Sequence, residues 1–475
     1  MRMSPRTYDL IVLGSGPAGE KGAAQAAYFG KSVAMVEKEP PPVYGGAAAN
    51  TGTLPSKTLR ETALFLSGFR NRQLEGLEFR WKGDVSIDLL LSRRKAVVGT
   101  EQKRILTNMN RHGVDLYEGT ASFAGPHTIS VRRKGAPETL LRGEVILIAT
   151  GSAPYRPAAF RIDDPRIVDS DSILNIPDIP RELVVVGGGV IGCEYACMFA
   201  IMGSRVSLVE TRERVLTFMD EEISDALMKE MGRLGVRFFL GDGVQRVDRR
   251  GQVLALNLES GATLTPDLVL ISSGRSGNTA SLGLERLGVE IDERGRINVD
   301  PTFQTSVPYV YAAGDVIKGP GLASTAMEQG RIAMIHAFGL EFQRDLSDLL
   351  PSGIYTIPEC SMVGPTERDL LAQGIPYVVG KASYEANARG QIIGDTNGFL
   401  KLIFHEETMK LLGVHVIGEA ATELVHIGLT ALHAEAGAEL FIRACYNYPT
   451  LSETYKYATY DALGRRARKR AGQPS

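Results

Sequence analysis

The apolar residues of this chain form short continuous runs, separated by stretches with helical spacing. Such runs lie at residues 8–13, 32–36, 183–186, 204–209 and 268–273. Runs of about 4–8 apolar residues bounded by polar or glycine positions are typical of strands that are buried on both faces. Because these strands alternate with helical stretches, the pattern predicts an α/β protein built on parallel sheets.

The first two strands enclose a glycine-rich turn. The run at 8–13 leads directly into Gly14-x-Gly16-x-x-Gly19, a helix rich in small residues follows, and the next strand ends at Glu37. This order predicts a dinucleotide site, because the glycines permit a tight turn and a close approach to a pyrophosphate at the helix N-terminus. The acid at the end of the second strand is placed to accept a hydrogen bond from a ribose hydroxyl.

The same unit occurs a second time. The run at 183–186 leads into Gly187-x-Gly189-x-x-Gly192, and the next strand ends at Glu210. The separation between the first glycine and the acid is identical in the two copies. Strand, glycines, helix, strand and acid are all present in both, so the chain is predicted to bind two dinucleotides at once.

The remaining pattern predicts further elements. A helical stretch covers residues 92–112, and an apolar strand ends in Ala-Thr-Gly at 149–151. From about residue 346 the pattern changes to hairpin stretches at 398–404 and 410–416, followed by a helical stretch at 420–436. The change predicts a separate C-terminal α+β domain.

Charge and hydropathy limit the possible partners. Lys and Arg total 53 and Asp and Glu total 55, so the formal net charge is -2 and a nucleic-acid partner is not expected. No apolar run approaches the roughly 18 residues of a membrane span, and the first strand begins too close to Met1 to leave room for a signal peptide. The basic residues at 465–470 are expected to form a solvated, frayed terminus.

The cysteines and histidines indicate neither a disulfide framework nor a metal centre. The chain has 4 cysteines and 7 histidines, and none has the spacing of a metal-ligand motif. Cysteines that form no framework favour a reducing compartment, so a cytoplasmic protein is predicted.

One stretch carries a resemblance to a known family. Residues 45–57 have the sequence GGAAANTGTLPSK, which resembles the flavin-facing segment of the flavoprotein disulfide reductases. Members of that family have cysteines at the positions of Ala48 and Thr53, and these cysteines form their redox disulfide. Neither alanine nor threonine can form a disulfide or a thiolate, so thiol exchange at this site is excluded.

The resemblance implies an α/β fold with two Rossmann-like dinucleotide-binding domains, one for FAD and one for NAD(P), and a C-terminal α+β dimerisation domain. It implies a homodimer and divides the chain into a first FAD segment at 1–152, an NAD(P) domain at 153–273, a returning FAD segment at 274–345 and an interface domain at 346–475.

Together, the glycine turns and the resemblance give two sets of candidate cofactor-binding residues. Those for FAD are Gly14, Gly16, Gly19, Glu37, Gly46, Thr53, Lys57, Thr150, Gly151, Gly314 and Asp315. Those for NAD(P) are Gly187, Gly189, Gly192, Glu194, Glu210, Arg212 and Gly274. For Asp315, capping of the following helix is the alternative role.

The candidates for chemistry are Lys57, Glu194, Tyr448 and Glu453. The family pairs the lysine and the first glutamate beside the flavin, where the carboxylate balances a buried ammonium. The family's His-Pro-Thr-x-x-Glu run, which the partner subunit supplies, is YPTLSE at 448–453 in this chain. A tyrosine, with an ordinary pKa near 10, is a poor proton shuttle for a thiol. The redox cysteines and their acid–base partner are therefore absent together.

Within the family, residues 52–57, 169–174, 189–195 and 352–359 resemble the pyridine nucleotide transhydrogenases. This resemblance implies an FAD-dependent oxidoreductase that exchanges hydride between NADH and NADP(H) without a disulfide. Two alternatives stay open: an NAD(P)H dehydrogenase that reduces a quinone, oxygen or protein acceptor, and a non-catalytic flavoprotein sensor.

The preferred nucleotide is open at this level. Glu210 favours NAD(H), because a carboxylate repels a 2′-phosphate. Arg212 and Arg214 follow closely, and either could reach a phosphate if the glutamate turned away.

Overall fold

The computed structural model describes residues 5–68, 87–160, 162–251, 253–341 and 345–472, without side chains at 87–90 and 250. Its strands are β1 (Arg6–Leu13), β2 (Val33–Glu37), β3 (Asp115–Glu118), β4 (Thr120–Gly125), β5 (Thr128–Arg132), β6 (Thr139–Ile148), β7 (Ser152–Pro154), β8 (Ile167–Asp169), β9 (Glu182–Val186), β10 (Arg205–Glu210), β11 (Arg237–Leu240), β12 (Val244–Arg250), β13 (Val253–Leu258), β14 (Thr263–Leu264), β15 (Leu268–Ile271), β16 (Arg275–Gly277), β17 (Val310–Ala312), β18 (Ser352–Ile354), β19 (Cys360–Val363), β20 (Tyr377–Ser383), β21 (Phe399–His405) and β22 (Leu411–Ile417). Its α-helices are α1 (Pro17–Tyr28), α2 (Gly46–Asn50), α3 (Thr53–Leu66), α4 (Ile87–Arg111), α5 (Val190–Ile201), α6 (Glu221–Arg233), α7 (Ala323–Ala337), α8 (Glu367–Gln373), α9 (Ala388–Ile393), α10 (Ala421–His433), α11 (Ala438–Arg443) and α12 (Thr454–Arg470).

The first sheet has the strand order β3-β2-β1-β6-β5-β4, and β17 also pairs with β6. Strand β1 is parallel to both β2 and β6. Helices α1 and α7 pack so closely that a side chain at Gly330 would overlap the backbone of Ala18. This sheet with its helices corresponds to the first predicted dinucleotide unit.

The second sheet has the order β11-β10-β9-β15-β8, and its strands are parallel throughout. Its central order repeats that of the first sheet, because β11-β10-β9-β15 occupy the places of β3-β2-β1-β6. The carboxyl ends of the central strands therefore present a glycine turn and a helix N-terminus in both units. The pattern of apolar runs predicted this duplication.

Two chain crossings connect the first sheet to the second. Strand β7 leaves the first sheet and β16 returns towards it, and the two pair antiparallel with Ser152 opposite Gly277. These crossings lie beside the predicted domain limits at 152 and 273. The four-segment division of the chain stays our proposal for the domain limits.

The C-terminal part contains an antiparallel sheet of order β18-β19-β22-β21-β20, packed against α10 and α12. One end of this sheet shares a hydrophobic core with α3 and α5, through Ile354, Ile357 and Cys360 among others. The flavin-facing segment, the second dinucleotide unit and the C-terminal domain therefore meet at one place.

The predicted fraying of the basic terminus was wrong, although residues 467–470 are exposed as predicted. Helix α12 continues to Arg470, and two of its basic side chains have carboxylate partners: Arg465 with Asp461 at 2.8 Å and Lys469 with Glu406 at 2.6 Å. Cations in the last turn of a helix are also stabilised by the helix dipole. The helical stretch predicted at 92–112 is part of α4, which begins earlier, at Ile87.

Candidate functional site

The first glycine turn has two glycines that the backbone requires and one that faces open space. Gly14 has φ 104°, and a Cβ there would lie 2.5 Å from the Ala149 carbonyl oxygen. A Cβ at Gly19 would overlap the Gly14 carbonyl oxygen. A Cβ at Gly16 would meet only the Cα of Gly46, at 3.9 Å. The protein itself has room for a side chain at position 16. A glycine there instead leaves space for a pyrophosphate to approach the backbone closely.

Glu37 lies at the end of β2 and is folded back onto this turn. Its carboxylate accepts hydrogen bonds from the Ser15 amide at 2.9 Å and the Ser15 hydroxyl at 2.6 Å. The same hydroxyl accepts one from the Gly45 amide at 3.0 Å. Ser15 thus ties the acid of the first unit to the start of the segment that precedes Lys57.

The other candidate FAD residues lie around the same turn. Asn278 exchanges hydrogen bonds with Thr150, giving one from its side chain at 3.0 Å and accepting one at 2.9 Å. Asp315 accepts a hydrogen bond from the Ser152 hydroxyl at 3.2 Å, and Gly314 packs against α1. Helix α7 begins only after Leu322, so Asp315 does not cap it.

The second glycine turn repeats this geometry. Gly187 has φ 109°, and a Cβ there would lie 2.6 Å from the Ser272 carbonyl oxygen. A Cβ at Gly192 would overlap the Gly187 carbonyl oxygen, whereas one at Gly189 would meet nothing within 4 Å. Both middle glycines therefore face open space, as two bound pyrophosphates require.

Glu210 lies at the end of β10 and is neutralised by Arg212. The guanidinium donates from Nε and Nη2 to the two carboxylate oxygens, each at 2.9 Å, and the Gly188 amide donates at 2.6 Å. Burial opposes ionisation, but the hydrogen bonds from Arg212 and Gly188 outweigh it and lower the pKa of Glu210 to about 2. Arg214 is engaged elsewhere, with Asp225 at 2.6 Å.

Lys57 and Glu194 form an ion pair between the two dinucleotide units. The Lys57 Nζ lies 2.6 Å from Glu194 Oε2, and the side chains are 25% and 5% exposed. The other carboxylate oxygen accepts a hydrogen bond from the Tyr355 amide at 2.9 Å. The Tyr355 ring lies under the ammonium, with 5.0 Å between Nζ and the ring centroid. A charged group with two stabilising partners and partial access to solvent therefore occupies the junction of three parts of the chain.

The segment that lacks the family's cysteines continues into the helix that carries Lys57. Ala48 lies in α2 and Thr53 begins α3, after a break at Thr51 and Gly52 whose amides both bond to Ala47. Neither Ala48 nor Thr53 can supply sulfur.

The cysteines lie away from this segment. Cys193, Cys197 and Cys360 are buried, and Cys445 is exposed. Burial raises the pKa of Cys197 to about 12, and it also raises the pKa values of Cys193 and Cys360. The three buried groups are protonated thiols at neutral pH.

Tyr448 and Glu453 are not brought to the ion pair within one chain. Tyr448 is 75% exposed at the surface of the C-terminal domain, and Glu453 immediately precedes α12. Gly274 lies beside β16, where its carbonyl oxygen accepts a hydrogen bond from the Tyr155 amide at 2.9 Å. The catalytic role of Tyr448 and Glu453 stays a prediction.

In the described part of the chain, one group of carboxylates has the spacing of a metal site, and a lysine fills it. Asp220, Glu222 and Glu367 converge there. The buried Lys401 ammonium lies 2.7 Å from Asp220 and 3.3 Å from Glu222, and it also bonds Glu367. Its positive charge balances the three carboxylates, in the place that a metal cation would take.

Sequence analysis missed several residues that hold the site. Ser15 bonds to Glu37 and Asn278 bonds to Thr150, both predicted cofactor residues, and Gln329 accepts a hydrogen bond from the Gly314 amide at 2.9 Å. Tyr355 was also missed, although it lies inside the stretch at 352–359 that carries part of the resemblance. That stretch was the one available signal for Tyr355.

The fold and the paired dinucleotide turns define a class of flavin-linked nucleotide oxidoreductases. The chain belongs to the pyridine nucleotide-disulphide oxidoreductase family, which residues 8–330 match, and residues 350–459 match the family's dimerisation domain. These matches confirm the predicted fold class, the predicted FAD and NAD(P) cofactors, the predicted enzyme class and the predicted homodimer.

Several named proteins are similar to this chain over nearly their whole length. The soluble pyridine nucleotide transhydrogenase of Mycobacterium bovis (strain BCG / Pasteur 1173P2) is 46% identical over 461 residues, covering 97% of this chain and 98% of that protein. The soluble pyridine nucleotide transhydrogenase of Pseudomonas putida (strain W619) is 41% identical over 468 residues, covering 98% of this chain and 100% of that protein.

Solved structures have the same architecture. The HOCl-induced flavoprotein disulfide reductase RclA from Escherichia coli is 28% identical with a TM-score of 0.85, covering 94% of this chain and 98% of that one. LpdA from Mycobacterium tuberculosis is 25% identical with a TM-score of 0.88, covering 96% of this chain and 99% of that one. Among the described residues, no helix has both the length and the apolar character to cross a membrane.

Proposed function

We propose that this protein is an FAD-dependent pyridine nucleotide transhydrogenase that carries hydride between NADH and NADP(H) without a disulfide. The observation that carries the proposal is the Lys57–Glu194 ion pair, which joins α3 to α5. In the same segment Ala48 and Thr53 stand where the family has its redox cysteines. Relatives named soluble pyridine nucleotide transhydrogenase, 46% and 41% identical, support it.

The residues of the chain would divide the work between binding and electrostatics. Bound FAD would supply hydride acceptance and donation at its ring system. The amides of the turns at Gly16 and Gly189, each at a helix N-terminus, would bind one pyrophosphate each. The Lys57 ammonium supplies positive charge at the junction, and Glu194 keeps that charge in place at 2.6 Å.

We propose that NADH and NADPH both bind at the second glycine turn, which begins at Gly187. Glu210 suits the ribose hydroxyls of NADH. Arg212 cancels its charge through two hydrogen bonds of 2.9 Å, which lowers the repulsion that a 2′-phosphate would meet. The pair therefore favours use of both NADH and NADPH, as transhydrogenation requires.

A second candidate function is that of an NADH dehydrogenase, which would pass electrons to a quinone or another acceptor. The observation that favours it is the firm hold on Glu210, whose carboxylate is fixed at the strand end by the Gly188 amide as well as by Arg212. A fixed carboxylate at this position selects NADH.

Steady-state assays would separate the two functions. The measurement compares hydride exchange from NADPH to thio-NAD with NADH-driven reduction of a quinone, using protein with stoichiometric FAD. Transhydrogenation predicts rapid exchange and slow quinone reduction. Slow exchange with rapid quinone reduction would establish the dehydrogenase. Flavin that neither nucleotide reduces would support the non-catalytic sensor.

Two further features of the proposal concern assembly and location. We propose that the exposed Tyr448 and the half-buried Glu453 contribute to the partner subunit's site across the homodimer, as the family resemblance implies. We also propose a cytoplasmic location, supported by the three buried cysteines, which are unpaired thiols.

Thiol chemistry is predicted to be dispensable. Iodoacetamide at pH 8 should label native protein only at Cys445, because the other three thiols are buried with raised pKa values. Labelled protein should retain full hydride exchange, measured against protein carried through without reagent. Flavin reduced by dithionite and partly reoxidised should show no long-wavelength thiolate-to-flavin charge-transfer band. Loss of exchange in step with labelling of Cys445 would contradict this prediction.

A further inference from the structure

The Lys57 ammonium has an aromatic face on one side that neither sequence motif assigns to it. The Tyr355 ring centroid lies 5.0 Å from Nζ, while Glu194 Oε2 lies 2.6 Å from the same atom. A cation over an aromatic face within about 6 Å is attracted by the ring quadrupole. The ammonium is therefore held by an anion and by a ring that belong to different parts of the chain.

The segment that carries this ring is fixed from both dinucleotide units. The Tyr355 amide donates to Glu194 on α5 at 2.9 Å. The Thr356 carbonyl oxygen accepts from Arg60 on α3, from Nε at 3.2 Å and from Nη2 at 3.1 Å. Arg60 is one turn beyond Lys57 on the same helix. The helix that carries the ammonium therefore also bonds to the backbone next to the ring.

The far side of this segment is anchored in the C-terminal domain. Arg60 also lies 3.3 Å from Glu359, and Glu359 accepts a hydrogen bond from the Thr422 hydroxyl at 2.8 Å. The backbone that carries the ring is therefore held from α3, from α5 and from the C-terminal domain.

We propose that Tyr355 is a positioning residue for Lys57, and that its ring, rather than its hydroxyl, fixes where the ammonium lies against the bound flavin. The inference rests on the proposed function, since it concerns the same ion pair. The carboxylate of Glu194 alone leaves the lysine side chain free to swing about one contact. The ring supplies the second point of attachment, from the domain that the family uses for dimerisation.

Replacing the ring should weaken this attachment measurably. A cation–π contact near the surface is worth a modest stabilisation, which corresponds to a change of about two- to fivefold in rate if the contact acts on the transition state. Tyr355→Leu removes the ring and retains apolar volume, so flavin reduction by NADH or NADPH should slow by about that factor. Tyr355→Phe retains the ring and should remain near the wild-type rate.

A second measurement does not depend on either nucleotide. The midpoint potential of the bound FAD can be titrated with dithionite against a reference dye. Positive charge held near the flavin favours its reduction, so Tyr355→Leu should lower the potential and Tyr355→Phe should not. If wild-type flavin were reduced by neither nucleotide, the proposed function would fail while this titration still tested Tyr355.

Lys57→Met combined with Tyr355→Leu decides whether the ring acts through the lysine. If it does, the double variant matches Lys57→Met in rate and in potential, because the ring has no cation left to hold. An undiminished effect of Tyr355→Leu in the Lys57→Met background would reveal a general structural role and overturn the inference. Equal behaviour of the leucine and phenylalanine variants would overturn it as well.

Two further variants serve as controls, one for specificity and one for folding. Phe338→Leu removes a ring that lies 4.9 Å from the ammonium of Lys31, far along the chain from the ion pair, and should change neither the rate nor the potential. If Tyr355→Leu does not accumulate as folded protein, Tyr355→Met fills similar space with an unbranched side chain and gives the same comparison. A methionine variant with wild-type rate and potential would overturn the inference.

Discussion

Replacement of Lys57 by methionine is expected to slow the bleaching of bound FAD by NADH or NADPH by about a hundredfold, while FAD stays bound. Removing one preorganised electrostatic group from an active site costs on that order in rate. FAD should be retained because its other predicted contacts, at the turn beginning with Gly14 and at Glu37, are unchanged. Stopped-flow absorbance measures the rate, and the ratio of flavin to protein absorbance measures occupancy.

The control for this prediction separates loss of the ammonium from damage to a buried carboxylate. Lys57→Met leaves Glu194, 5% exposed, with a hydrogen bond from the Tyr355 amide but without its cation. Adding Glu194→Gln removes that uncompensated charge and should recover thermal stability without recovering the rate. Lys21→Met breaks a similar pair, 3.0 Å from the buried Glu20, and should leave reduction unaffected. A rate within twofold of wild type in Lys57→Met would remove Lys57 from the mechanism.

Local patterns in the sequence predicted the parts of the fold that depend on local geometry. The turns at Gly14 and Gly187 need a positive φ and contact with a neighbouring backbone, so their glycines stand out in any window of sequence. The parallel strands beside them are buried on both faces and therefore appear as continuous apolar runs. These requirements act within a few residues, which is why the duplicated architecture could be predicted.

Contacts between distant residues could not be derived in that way. Lys57 and Glu194 are 137 residues apart, and only the family resemblance paired them. Nothing in the local pattern around Tyr355 marks a ring that meets an ammonium from another helix. The basic tail was misjudged for the same reason, because the carboxylates that stabilise α12 include Glu406, 63 residues before Lys469.

Arg212→Ala is expected to shift the nucleotide preference of the second turn towards NADH. In the wild-type protein the guanidinium neutralises Glu210 and, with the Gly188 amide, lowers its pKa to about 2. Without it, the carboxylate charge faces the 2′-phosphate of NADPH uncompensated. Two unit charges about 4 Å apart near a protein surface repel by roughly 1–4 kcal/mol. The kcat/KM for NADPH should therefore fall about ten- to hundredfold relative to that for NADH.

The opposite substitution should reverse the preference. Glu210→Ala removes the repelling charge and frees Arg212 to bind the 2′-phosphate, so the ratio of kcat/KM for NADPH over NADH should rise. Arg214→Ala is the matched arginine control, because its guanidinium already pairs with Asp225 at 2.6 Å and should leave the ratio within about twofold. If Arg214→Ala lowered the ratio and Arg212→Ala did not, the phosphate would bind on the other arginine. If Glu210→Ala left the ratio unchanged, repulsion by Glu210 would not limit the use of NADPH, and the choice of nucleotide would depend on residues outside this pair.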